Sequence, residues 1–203
     1  MSRYELMYFD FVGSRGEECR MALALAGVDF DDARFARDTW PGLKPTTPFG
    51  SVPVLKQGDQ PALAQSNAIL TYLGLAHGLL PKDPWETARH LAILEACEEV
   101  RTALAPSGKM SDPAEKKAAR EALATGFLQT WGANIEKQIQ GPFVGGSAIS
   151  VADIKLFQIT ESFVKGVLDH IPSTVFENFP KLMAVYQGVL THPKIAAWRA
   201  KFI

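Results

Sequence analysis

The spacing of apolar and polar positions changes several times along the chain, and each change marks an element. Tyr4 to Phe9 alternates weakly and is rich in aromatic residues, which is the pattern of a buried strand. From Arg15 the period lengthens, and Cys19, Ala22, Leu23 and Ala26 fall on one helical stripe. Gly27 closes it, because glycine readily takes the left-handed conformation of a helix end. The loop from Asp10 to Gly16 joins the two into a βα unit, with the loop at the ligand end of the sheet. Phe30 to Phe35 reads as a second strand, followed by a Pro-rich stretch from Trp40 to Pro48. Val54-Leu55, the turn Gly58-Asp59 and Ala62-Leu63-Ala64 read as a hairpin. A helix starts directly after Gln65-Ser66, with Ile69, Leu70 and Leu73 on one face.

The first 78 residues therefore read β-α-β, loop, β-β-α, a thioredoxin-like α/β layout. Pro81 and Pro84 end the third helix and place a linker at residues 79–87. Strand signals vanish beyond it. Residues 88–104, 113–137, 151–168 and 179–190 have helical composition, with a short last helix at 193–202, so 88–203 reads as an all-helical domain. One helix start in this half is unusually well specified. Ser150 stands as N-cap with Asp153 three residues on, flanked by Ile149 and Ile154, although a strict capping box carries Glu or Gln where Asp153 stands.

Composition narrows the function classes. The 203 residues are 47% hydrophobic and 21% charged with a net charge of −1, which leaves no electrostatic footprint for nucleic acid or an anionic membrane. No apolar run reaches the ~20 residues that span a bilayer, and the start of the chain lacks a secretory pattern. Cys19 and Cys97 both fall in helical apolar patterns, and the four histidines show no metal-ligand spacing. The expectation is a cytoplasmic protein without disulfide, metal or nucleotide.

The most informative chemistry lies between Phe49 and Leu70. Pro53 opens a strand yet cannot donate to a sheet, so it is either an edge residue or a turn held in the cis form. Ser66 lies at a helix start, where unpaired N–H groups and the positive dipole end attract a carboxylate. Taken singly, Ser66 caps its own helix and Pro53 ends a strand. Taken together, one hairpin apart, they describe an extended backbone edge beside a helix N-terminus, a receptor for a small anionic peptide.

The run Ser51-Val52-Pro53-Val54-Leu55, a hairpin, then Gln65-Ser66-Asn67-Ala68-Ile69-Leu70 resembles the glutathione-binding half of the cytosolic glutathione transferases, and the resemblance extends over nearly the whole chain. It implies glutathione as co-substrate, with the residue before a cis proline, Val52, pairing with the cysteinyl backbone and Gln65-Ser66 holding the γ-glutamyl end. Leu6-Met7-Tyr8-Phe9-Asp10 followed by Gly13-Ser14-Arg15-Gly16 looks like the catalytic opening of the tyrosine-type, sigma-like class. Trp40 and Lys44 match the pair that receives the glycine carboxylate in that class. An acidic pair, Glu98 and Glu99, approximates residues that reach a neighbour's glutathione across a two-fold homodimer. Ser150-Val151-Ala152-Asp153 resembles the capping motif before the core helix of the transferases' second domain.

The chemistry that these residues would serve is thiol activation. A free thiol titrates near ~8.5 while the nucleophile is the thiolate, and each unit of depression corresponds to about 1.4 kcal/mol. A neutral hydroxyl aimed at the sulfur stabilises the anion. Tyr8, at the end of the first strand, is the expected donor, with Arg15 supporting the thiolate or steering an electrophile. For a strand tyrosine alone, packing with a backbone partner is the commoner fate. Ser14 and Cys19 compete for the role, since other transferase classes use serine or cysteine in this neighbourhood. The second substrate would be a hydrophobic electrophile between the Phe9-Phe11-Gly13 loop and the helix around Arg101, Leu104 and Ala105, closed by Phe202. The resemblance thus implies a glutathione transferase. Two rivals stand beside it: a glutathione-dependent isomerase or peroxidase, which would share every residue named, and a non-catalytic structural protein like the lens crystallins of this class, against which an intact Tyr8 and a short second domain without a long insertion argue.

Overall fold

The computed structural model describes residues 3–202. One mixed sheet runs in the order β2-β1-β3-β4. Its central strand β1 (Tyr4–Phe9) is parallel to β2 (Phe30–Phe35) and antiparallel to β3 (Val54–Gln57), which pairs in turn with β4 (Leu63–Ala64). Along β1 the buried side chains are Tyr4, Leu6 and Tyr8, so the alternation of the sequence selects one sheet face. Parallel strands need a crossover, and helix α1 (Ser14–Ala26) supplies it. Gly27, at φ 71°, ends α1 as its stripe predicts, its N–H bonding the Ala24 carbonyl at 3.0 Å. The Pro-rich stretch is a chain of single turns around α2 (Trp40–Leu43). Helix α3 (Ser66–Ala76) then buries Ile69, Leu70 and Leu73. This is the thioredoxin-like domain that the changing periods describe.

The second compact unit, Pro84–Leu190, is helical. It holds α4 (Pro84–Leu104), α5 (Pro113–Thr125), α6 (Phe127–Gln138), α7 (Val151–Val164) and α8 (Pro180–Thr191). The continuous helical composition of 113–137 is divided at Gly126, whose φ −110° and ψ −94° interrupt the helix. Composition alone does not register a single break of this kind. Helix α7 is buried along nearly its whole length, the mark of a helix at the centre of a unit. Its start carries the full capping box. Ser150 Oγ accepts from the Asp153 N–H at 3.4 Å, and Asp153 Oδ2 accepts from the Ser150 N–H at 2.8 Å. Asp153 Oδ1 also accepts the Val144 N–H at 2.7 Å, so one carboxylate holds the loop as well as the helix. Burial pushes this carboxyl's pKa above the ordinary value, against the pull of the same hydrogen bonds.

The first unit holds the described residues of Met1–Asp83 and Thr191–Ile203. The last helix, α9 (Pro193–Arg199), which helical composition groups with 88–203, packs on α1 in this unit. Lys194 Nζ donates to the Leu25 carbonyl at 2.8 Å, and Trp198 Nε1 donates to Glu17 Oε1 at 2.7 Å. Composition shows what such a segment forms; these two long-range bonds decide where it docks. Among the described residues no helix is long and apolar enough to cross a membrane.

Candidate active site

Tyr8 pairs with Arg34 on β2 and lies one residue beyond the last β1–β3 pair. The β1–β3 ladder runs as far as Met7 opposite Val54 and stops because the next position, Pro53, has no N–H to give. One step further along that register Tyr8 is level with Pro53. The Val52-Pro53 bond is cis, which settles the choice that the sequence left between an edge residue and a cis turn. Tyr8 is only 5% exposed. Its ring lies between Phe9 and Phe11, both with centroids at 5.6 Å, and against the backbone of Gly16. Yet no group among the described residues hydrogen-bonds its hydroxyl. Nor is that oxygen one of the sealed orphans, as Gln158 Oε1 and Thr160 Oγ1 are. A buried tyrosine hydroxyl ordinarily finds a partner. This one is held by its ring and left open at its polar end.

Ser66 does not cap its helix. It is the first helical residue of α3, the N-cap position is Gln65 at φ 72° and ψ 115°, and the Gln65 side chain makes no cap hydrogen bond. A non-glycine residue in the left-handed half of the map stores strain of roughly 1–3 kcal/mol and needs a surrounding reason. Ser66 is buried while Gln65 projects outward, and neither has a hydrogen-bond partner for its side chain among the described residues. Ser51 and Val52, half-buried, bring the chain up to buried Pro53.

Trp40 and Lys44 are joined by one helical turn, the Lys44 N–H bonding the Trp40 carbonyl. The indole stacks on Phe35 at 5.8 Å with a 19° interplanar angle and meets Phe9 edge-on at 5.6 Å. Its N–H has no acceptor among the described residues, whereas Trp131 Nε1 donates to the Ala96 carbonyl at 2.8 Å and Trp198 to Glu17. Lys44 is exposed, with its stem beside Gly50. Both Trp40 and Tyr8 thus pair a fixed ring with an unused donor.

Of the remaining sequence candidates, Arg15 and Ser14 are half-buried at the start of α1, and Ser14 takes φ 58°. Cys19 is fully buried, so it packs and is closed to a ligand. In the helical unit Glu98 is engaged internally. Its Oε1 accepts from Lys155 Nζ at 2.5 Å and from Arg101 Nη1 at 2.6 Å, with Lys155 fully buried. Glu99, next to it on α4, is exposed. Phe202 lies over the Arg34 guanidinium at 4.4 Å and against Trp198.

Two residues escape a reading by pattern. Gly16 leaves its space to the Tyr8 ring. Arg20, fully buried on α1, donates to the backbone carbonyls of Phe9 at 3.2 Å and Phe11 at 3.0 Å. The available signal is a charged residue set among Cys19, Met21, Ala22 and Leu23, with Glu17 one helical turn before it.

Two family models match: Glutathione S-transferase, N-terminal domain, over residues 4–74, and Glutathione S-transferase, C-terminal domain, over residues 98–202. A glutathione S-transferase of Anopheles gambiae is 31% identical, covering 99% of this chain and 97% of that protein. The hematopoietic prostaglandin D synthase of Gallus gallus is 30% identical, again over 99% and 97%. Among solved structures, prostaglandin synthase D of Nilaparvata lugens superposes with a TM-score of 0.86 at 31% identity, over 99% of this chain and 98% of the other.

Proposed function

The chain belongs to the glutathione S-transferase family and is a glutathione transferase with glutathione as co-substrate, and on that premise we propose that the Tyr8 hydroxyl holds the glutathione sulfur as the thiolate. The observation that carries this is a packed phenol whose hydroxyl has no partner among the described residues. The hydroxyl donates to the sulfur, the thiol proton leaves to solvent, and the anion becomes the nucleophile. Sulfur then attacks an electrophilic carbon of an apolar substrate; the S–C bond forms, and the displaced group leaves with the electron pair.

The remaining roles fall to other residues of the first unit and to Glu99 of the helical unit. The Val52 backbone, with Ser51 beside it, pairs with the cysteinyl unit ahead of Pro53. Gln65 and the uncapped α3 start at Ser66 take the γ-glutamyl end, where N–H groups and the helix dipole favour a carboxylate. The Trp40 N–H and the Lys44 ammonium take the glycine carboxylate. Arg15 adds positive charge near the sulfur. Glu99 reaches the γ-glutamyl amine of a two-fold partner, a role for which its exposure suits it better than Glu98, already bonded to Lys155 and Arg101. A homodimer in the cytoplasm completes the proposal, supported by the family to which the chain belongs.

Similarity to the prostaglandin D synthase supports a second reading, in which the same thiolate serves a glutathione-dependent isomerase. Assaying the purified protein with glutathione against an aryl halide, a hydroperoxide and a prostaglandin precursor separates the two. Conjugation of the halide supports the transferase, turnover of the precursor alone supports the isomerase, and an inert protein contradicts both.

A further inference from the structure

Arg20 is among the largest fully buried side chains of the described residues, with 0% exposure. Its guanidinium uses every edge. Nε donates to Asp32 Oδ1 at 2.8 Å, Nη1 to the Phe11 carbonyl at 3.0 Å and Glu17 Oε2 at 3.4 Å, and Nη2 to the Phe9 carbonyl at 3.2 Å. Its central carbon stands 5.6 Å from the centroid of the Tyr8 ring. An isolated buried charge is costly, and an apolar residue of similar volume often does equally well for stability alone. What such a residue cannot supply is a planar fork that fixes two carbonyls at once.

Those carbonyls belong to the residues on either side of Asp10, and the rings of the same two residues enclose Tyr8. Arg20 thereby fixes the backbone from which the walls of the Tyr8 slot project. The fork is itself held from both sides. Glu17 also accepts the Trp198 N–H at 2.7 Å, and Asp32 also accepts Arg34 Nε at 2.7 Å. Arg34 in turn meets Asp10 at 3.4 Å, which closes the chain of charges on the loop that follows Tyr8.

We propose that Arg20 is a positioning residue for Tyr8: by clamping the Phe9 and Phe11 carbonyls it fixes where the phenol hydroxyl meets the glutathione sulfur. This rests on the reading of Tyr8 as the thiol's hydrogen-bond donor. The test is Arg20→Lys, which keeps the charge and removes the fork, with Tyr8→Phe in parallel. Bound-thiolate absorbance is titrated against pH, and kcat, KM and glutathione Kd are measured in each. Misplacement of a catalytic group by about 1 Å costs up to roughly a hundredfold in rate. The expected result for Arg20→Lys is therefore a kcat lower by about tenfold to a hundredfold. The midpoint of thiolate formation moves to higher pH, and glutathione Kd stays within about twofold. Parent-like kcat and midpoint in a folded Arg20→Lys, beside a Tyr8→Phe that has lost the thiolate, overturn the role of Arg20 and leave Tyr8 intact. A Tyr8→Phe that keeps its thiolate overturns both. Should Arg20→Lys not fold, Asp32→Asn, which loosens one side of the clamp, takes its place. A raised midpoint then supports the proposal and an unchanged one contradicts it.

Discussion

A Cβ on Gly16 would stand 2.0 Å from Tyr8 Cδ1 and 2.2 Å from Cγ, so the phenol ring occupies the space that a side chain at Gly16 would need. The first turn of α1 and the last residues of β1 are close enough that only glycine fits between backbone and ring. Gly16→Ala must push the ring aside. Overpacking of this kind destabilises by about 1–3 kcal/mol, and the displaced hydroxyl no longer meets the sulfur. Thermal unfolding with steady-state kinetics should show a folded, less stable protein whose kcat falls more than its glutathione affinity. Parent-like kcat would mean that the ring's position is immaterial.

Trp40 separates packing from recognition. Trp40→Phe keeps an aromatic ring against Phe35 and Phe9 and deletes the indole N–H together with part of the ring. A hydrogen bond to a charged group is worth about 1.5–3 kcal/mol, which corresponds to roughly a tenfold to hundredfold rise in glutathione Kd. Calorimetric titration should show that rise, and the difference from the parent should disappear for a glutathione whose glycine carboxylate is blocked as an amide. An equal loss with both ligands would assign Trp40 to packing.

Ser150→Ala probes the fold without touching the site. Removing an N-cap costs about 1–2 kcal/mol, and here it also takes a 2.6 Å hydrogen bond from a buried carboxylate, Asp153. For a chain of this size each kcal/mol lowers the melting temperature by about 2–4 °C. Melting should fall accordingly while glutathione Kd is unchanged. A shift in Kd would contradict the separation of roles.

These contrasts show what the sequence displays and what it conceals. Strand alternation, the helical stripe ended by Gly27 and the Ser150–Asp153 cap are local patterns, and local patterns can be read from spacing. Pro53 and Ser66 were legible as a pair because one hairpin separates them. Arg20, Gly16 and Lys155 were not, since each acts through partners distant in sequence or through a side chain that is missing. The break at Gly126 and the docking of α9 on α1 escaped for the same reason: helical composition carries no address.

His192 gives the fold a pH dependence. Burial first, and the charge of Lys194 second, hold its pKa below the ordinary 6.5, and its Nδ1 is sealed with no hydrogen-bond partner among the described residues. The unfolded chain takes up a proton below about pH 6.5 that the folded state resists. Stability is therefore undiminished above that pH and declines as pH drops from 6.5 toward the lowered value. Melting curves from about pH 7 to pH 5 should show this decline, and His192→Gln should make it shallower. An unaltered slope in the variant would assign the decline to other groups.

The measurement that bears most directly on the central claim is the ultraviolet absorbance of the thiolate in glutathione bound to the parent and to Tyr8→Phe. An intact Tyr8 is predicted to give a thiolate signal at neutral pH. Tyr8→Phe is predicted to bind glutathione with nearly the same affinity and to show no such signal. A variant that binds glutathione and keeps the full thiolate signal would contradict the assignment of Tyr8.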